Sequence, residues 1–256
     1  MTAFIPIPRD TAPPRARMWG EWPRAAWGVG RLALSGRKLA DAPRGDGRGV
    51  LVLPGMFNGD LSNVALRRYL DTLGYRSYRW ELGRNCGTRA IGMDGERLVE
   101  RVEQVAAETG GPITLVGISL GGIMARLMAH RRPDLVRSVV TIVSPYAGPA
   151  TATNVWRSFE WYTGQKIGDP AVVAMAAEVA RPLPCPATAI WSPTDGLVNG
   201  WNCHSEDEAG CRAVRVDTSH VGAQLNPDVL RIVAEVLATE QADQAVATRA
   251  SNARNS

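Results

Sequence analysis

The chain of 256 residues is long enough for one large core, and its 45% hydrophobic and 21% charged content is that of an ordinary folded domain. This balance excludes extensive disorder, 26 glycines and 17 prolines without a period exclude a collagen-like repeat, and no apolar run approaches the roughly 18 residues of a spanning helix. The net charge of +4 comes from arginines scattered among nearly as many acids, Lys38 and Lys166 being the only lysines, so it marks no nucleic-acid-binding face.

Taken in chain order, residues 1–10 lack the basic and apolar regions of a secretory signal, and a cytoplasmic location is the default expectation. Residues 17–34 set Trp19, Trp22, Trp27, Val29, Leu32 and Leu34 among arginines. The preferred reading is a helix packed on its own domain, within an N-terminal arm over 1–48. An interfacial helix resting on anionic lipid is the alternative, a peripheral membrane contact without a spanning segment.

From residue 49 onward, six short apolar runs recur, at 49–53, 75–80, 112–117, 137–143, 187–191 and 212–216. Runs of this kind suit strands buried on both faces of a parallel sheet. Helical patterns fall at 61–73, stopping at Gly74, at 95–109, ending on Gly110 and Gly111, at 120–130, and at 227–238. The alternation predicts an α/β, doubly wound, mostly parallel sheet of about six strands. Residues 145–185 break the rhythm with an aromatic cluster (Trp156, Phe159, Trp161, Tyr162) and a short helix at 170–181. A stretch that long points to a helical lid insertion within a domain spanning 49–239. The tail at 240–256 has no periodicity and is expected to be disordered.

Cys86 and Cys185 stand alone, while Cys203 and Cys211 bracket an acidic loop, where a local disulfide and two reduced thiols are both open. No cluster of Cys and His has zinc spacing, so no metal is expected.

The strongest chemical signal is Gly117-Ile118-Ser119-Leu120-Gly121, which follows an apolar strand and opens a helix. As a bare pattern GxSxG is weak; that context makes it specific. A sharp strand-to-helix turn forces the serine into a strained conformation and aims it over the helix N-terminus, where negative charge is favoured. A serine hydroxyl needs a base. Of His130, His204 and His220, the first ends the helix that begins at Ser119, about 16 Å away at about 1.5 Å per residue. His204 sits in the acidic loop, whereas His220 follows the sixth strand at the carboxyl edge of the sheet, as Ser119 does. Asp195, just past the fifth strand in Thr194-Asp195-Gly196, is the favoured partner for the imidazole, with Asp217 a competitor too close to His220 in the chain. Oxyanion donors are expected from the backbones of Leu120 and of Met56, in the loop Pro54-Gly55-Met56-Phe57-Asn58.

Together, Pro54-Gly55-Met56, Gly117-Ile118-Ser119-Leu120-Gly121, Thr194-Asp195-Gly196 and Ser219-His220 resemble the α/β-hydrolase superfamily, in particular its compact bacterial lipase-like and esterase-like branch, over roughly residues 49–238. The resemblance implies Ser119 as nucleophile, Asp195 as acid, His220 as base, and Met56 and Leu120 as the oxyanion hole. It departs from many lipases in carrying Pro54-Gly55 where they have His-Gly. The stretch Trp80 to Gly87, with Gly83-Arg84-Asn85, also resembles a subset of bacterial hydrolases.

The expected function is a serine hydrolase of carboxylic esters, working through an acyl-enzyme without a cofactor. Met56, Phe57 and Leu120 would surround the serine with apolar surface, which favours a small apolar ester as partner and assigns Phe57 to substrate binding. An acyltransferase using the same nucleophile and a non-catalytic binding member of the fold are the alternatives. The sequence does not specify the oligomeric state.

Overall fold

The computed structural model describes residues 7–254, with side chains through Glu240. Residues 1–6, part of the stretch read as lacking a secretory signal, and 255–256 of the tail lie outside the described residues. Three helices, α1 (Arg15–Trp19), α2 (Glu21–Leu34) and α3 (Gly36–Ala40), lead into β1 (Gly49–Leu53). There follow α4 (Val64–Leu73), β2 (Arg76–Arg79), α5 (Thr88–Ile91), α6 (Glu96–Thr109), β3 (Ile113–Ile118), α7 (Leu120–Arg131) and β4 (Val136–Ile142). The chain continues through α8 (Trp156–Thr163), α9 (Pro170–Ala180), β5 (Ala187–Trp191), β6 (Cys211–Arg215) and α10 (Pro227–Arg254).

The six strands form one parallel sheet in the order β2-β1-β3-β4-β5-β6. The chain runs outward from β1 to β2, then returns to place β3 on the other side of β1. Loops after β1 and β3 therefore leave the carboxyl edge in opposite directions and open a crevice there. Register brings Leu53 level with Gly117, and Ile118 level with Ile142, so the ends of three strands converge on the turn that carries Ser119.

Strand periodicity divides the core into two layers. Val50, Val52, Val116, Ile118, Val140 and Ile142 face α4 and α10, meeting Leu66, Leu70, Val229 and Val233. Leu51, Leu53, Leu115 and Val139 face the other way, onto Leu98 and Val102 of α6 and Leu127 and Met128 of α7. Each such side chain withdrawn from water contributes roughly 1.5–3 kcal/mol. Burial on both faces holds for β1, β3 and β5 and nearly so for β4. It fails for β2 and β6, whose residues are half-buried or exposed because these are the sheet's two edges.

One further expectation changes, and one left open is decided. The last helix does not stop at residue 238: it continues to Arg254, through the tail read as disordered. That segment is rich in Ala, Gln and Arg, whose intrinsic preference sustains a helix without any apolar stripe. All four cysteines are free thiols, including Cys203 and Cys211.

Candidate active site

Ser119 occupies the turn between β3 and α7 with φ 52° and ψ −119°, a conformation that costs a non-glycine residue about 1–3 kcal/mol. Its N–H donates to the Ile142 carbonyl at 2.8 Å, which ties the turn to the end of β4. The glycines around it are dictated by close backbone approach. A Cβ on Gly117 would lie 2.3 Å from the Gly121 carbonyl oxygen, and one on Gly121 would lie 2.4 Å from that of Leu53.

The β6–α10 connection brings His220 to this turn. Its Nε2 lies 3.0 Å from Ser119 Oγ and its Nδ1 lies 2.7 Å from Asp195 Oδ2. A carboxylate only accepts, so the imidazole proton sits on Nδ1 and leaves Nε2 free to accept from the serine hydroxyl. Asp195 is buried, and its second oxygen accepts from the N–H groups of Leu197 and Val198 at 2.8 and 2.9 Å. Burial by itself would depress the His220 pKa. The Asp195 charge and hydrogen bond, joined by the charge of Glu21, outweigh burial and hold it above the ordinary imidazole value.

The competitors lie apart from this cluster. The Asp217 side chain is exposed and pairs with Arg215 at 3.7 Å. His204 packs 4.6 Å from the Trp191 ring, and burial pushes the pKa of both His204 and His130 down.

The loop after β1 passes directly beside the serine, a Cβ on Gly55 falling 3.5 Å from Ser119 Cβ. Within it, Phe57 N–H donates to the Asn85 carbonyl at 3.0 Å and Asn58 N–H to that of Gly55 at 3.1 Å. Met56 lies between Gly55 and Phe57 and lines the same cavity as Ser119 and Leu120. Leu120 opens α7, where the first N–H groups have no intrahelical acceptor. The cavity holds about 400 Å³, and Trp156, Phe159 and Met175 contribute apolar walls from α8 and α9. Phe57, next in the same loop with φ 67°, packs its ring on Tyr162 of α8, with ring centroids 4.3 Å apart. Trp161, from the same aromatic cluster, is exposed.

A family model described as the alpha/beta hydrolase fold matches residues 93–183. Among solved structures, a metagenome-derived lipolytic enzyme is similar with a TM-score of 0.55 at 16% identity, covering 78% of this chain and 96% of its own. A monoacylglycerol lipase from Paleococcus ferrophilus gives a TM-score of 0.55 at 15% identity, covering 78% and 97%. The chain has the α/β-hydrolase fold. Sequence similarity to curated proteins is local. A triacylglycerol lipase of Pseudarthrobacter phenanthrenivorans is 46% identical over 55 residues, 21% of this chain and 17% of that protein. One from Vibrio cholerae is 44% identical over 59 residues, 23% and 19% respectively. The chain thus matches about a fifth or less of the length of these lipase-like relatives.

On this α/β-hydrolase scaffold, three residues to which the sequence assigns no role, Glu21, Arg24 and Asn85, hold the loops of the site in place. Glu21, at the start of α2, is buried, and its two carboxylate oxygens accept from Gly196 N–H at 2.8 Å and Val221 N–H at 2.9 Å. One carboxylate therefore joins the residue after Asp195 to the residue after His220. Burial, with the nearby Asp195 charge, raises the Glu21 pKa, opposed by those two backbone bonds and by His220. Arg24, one turn on, reinforces the same joint by donating to the carbonyls of Thr194 and Thr218, each at 2.7 Å. Asn85 is the other brace. Fully buried, it donates from its side-chain amide to the Pro54 carbonyl at 2.7 Å and from its backbone to that of Asn58 at 2.8 Å. The Gly83-Arg84-Asn85 stretch was visible as a motif; its use as a clamp on the loop after β1 was not. Glu21 had no local signal, being 175 and 200 positions from its partners.

The far wall of the cavity is fastened through Arg126 of α7. Its buried guanidinium donates to the carbonyls of Val179 and Arg181 at 2.6 and 2.7 Å and pairs with Glu208 at 2.8 Å. These bonds take up carbonyls at the C-terminal end of α9, which have no acceptor role left inside the helix.

Proposed function

We propose that the protein is a serine hydrolase of carboxylic esters, acting through an acyl-enzyme. The observation that carries this reading is the chain of contacts from Asp195 through His220 to Ser119, 2.7 and 3.0 Å long, at the wall of an apolar cavity. His220 Nε2 takes the Ser119 proton as Oγ attacks the ester carbonyl, and Asp195 offsets the charge that the imidazole gains. The N–H groups of Met56 and Leu120 donate to the oxygen of the tetrahedral intermediate, an interaction often worth about 3–4 kcal/mol per donor. His220 then returns the proton to the departing alcohol, and the same residue activates the water that frees the acid and restores Ser119.

The apolar walls favour an acyl chain over a charged group. Segment 145–185, which supplies Trp156, Phe159 and Met175, serves in this reading as the cover of the substrate site. Local similarity to triacylglycerol lipases supports the same reaction class. A fluorophosphonate probe should label Ser119, and a p-nitrophenyl ester series of increasing acyl length should give turnover that Ser119→Ala abolishes. Retention of turnover in that variant, with the wild-type protein unlabelled, overturns the reading.

A further inference from the structure

Helix α2 meets the domain with its polar side. Glu21 and Arg24 bond the loops of the site, Arg31 pairs with Asp228 of α10 at 2.8 Å, and Leu32 is its aliphatic contact with the core. At about 100° per residue, the unengaged positions form one continuous arc. On that arc Trp22, Ala26, Trp27, Val29, Ala33 and Leu34 are all exposed. Trp19, at the end of α1, precedes them, and the three indoles are 75%, 71% and 72% exposed at positions 19, 22 and 27. A surface helix ordinarily turns its charges to water and its apolar stripe to the core. Here the orientation is reversed, and a contiguous apolar patch of this kind marks an interaction surface.

The charge around the patch selects the occupant. Residues 11–40 carry Arg15, Arg17, Arg24, Arg31, Arg37 and Lys38 against a single acid, Glu21, which is buried. Asp228 on α10 offsets part of this by pairing with Arg31 and Lys38. Arg24 and Arg31 are engaged on the inward side and Lys38 is paired, which leaves the exposed Arg15 of α1 and Arg37 of α3 as the cations that flank α2 in the chain. A second copy of the chain would bring like charges together, whereas an anionic lipid surface complements them. Indole rings favour the boundary between headgroups and acyl chains. Among the described residues no helix is long and apolar enough to cross a membrane.

We propose that the outward face of α2, together with Trp19, is a docking surface for an anionic phospholipid bilayer, with the helix lying in the plane of the interface. This stands apart from the ester reading, since it rests on the opposite face of the helix from Glu21 and Arg24.

Flotation of the full chain with vesicles tests it. The protein should float with vesicles of phosphatidylglycerol and phosphatidylcholine in equal parts and at least about tenfold less with phosphatidylcholine alone, and binding should fall as salt rises. The variant Trp19→Ser/Trp22→Ser/Trp27→Ser should lose at least about tenfold of the binding while keeping the wild-type melting temperature and turnover of a water-soluble short-chain ester. Should the triple variant fail to fold, Trp22→Ser and Trp27→Ser singly should each lower binding about threefold. Absence of wild-type flotation with anionic vesicles overturns the proposal, as does a variant that floats as well as wild type. A wild-type dimer in light scattering that the tryptophan variant turns into a monomer also overturns it, by giving the face to a second copy.

Discussion

The carboxyl rim of the sheet and the N-terminal helix α2 are both amphipathic, yet they use that property in opposite senses. At the rim, apolar side chains of β1, β3 and β4 are sealed in the core, and polar groups emerge at the strand ends, where Ser119, Asp195 and His220 meet. In α2 the charged residues point inward, onto the loops of that site, and the indoles point to solvent. The lesson is that helical period fixes which residues share a face, but not which face the domain covers. A buried carboxylate with two backbone donors to satisfy can hold the polar side inward against the usual preference.

Four substitutions probe this contrast, from the largest expected effect to the smallest. Ser119→Ala should lower kcat for p-nitrophenyl esters about 10,000-fold or more, with the melting temperature kept, because in the proposed mechanism the hydroxyl supplies the reaction and not the fold. Asp195→Asn should lower kcat by about 1,000-fold to 10,000-fold, since the amide that replaces the carboxylate favours the wrong imidazole tautomer. Glu21→Gln strikes the inward face of α2. It removes the charge that helps hold the His220 pKa up, and it replaces a charged acceptor of two backbone N–H groups with a neutral amide.

The sign for that third variant follows from the role of His220. In the proposed mechanism His220 is the base and works when neutral, so kcat/KM should rise as pH increases through the His220 pKa. In the wild type that acidic limb should lie above the ordinary imidazole value of 6.5, because the folded environment favours the charged ring. In Glu21→Gln it should move toward lower pH, alongside a loss of about 1–3 kcal/mol in urea unfolding. An unmoved limb with lowered stability would reduce Glu21 to a structural tie. Trp22→Ser, on the outward face, should change unfolding free energy by no more than about 0.5 kcal/mol, as expected of a surface position. A large loss there would mean that the indole packs on the domain.

Much of the architecture was readable in advance because it is encoded by short-range pattern. The runs at 49–53 and 187–191 coincide with β1 and β5, and the helix breaks at Gly74 and Gly110 fall where the turns need them. The arrangement of β2 and β6 was misread because an edge strand differs from an inner one only in its neighbours. The glycines flanking Ser119 were legible because local sterics demand them. Phe57 is placed near the substrate by its position beside Met56 in the loop after β1, while its ring contact with Tyr162, 105 positions on, has no local signal in the sequence.

The order of apolar runs and turn residues in this chain was enough to specify strand–helix alternation and to put a serine, an aspartate and a histidine at the ends of separate strands. Nothing in that order fixed the distances among them, the bracing of their loops by Glu21 and Asn85, or the outward turn of the α2 tryptophans. These depend on contacts between segments up to 200 positions apart. Hydrogen-bond satisfaction and burial act on the folded surface as a whole, and only the assembled chain decides which groups they bring together.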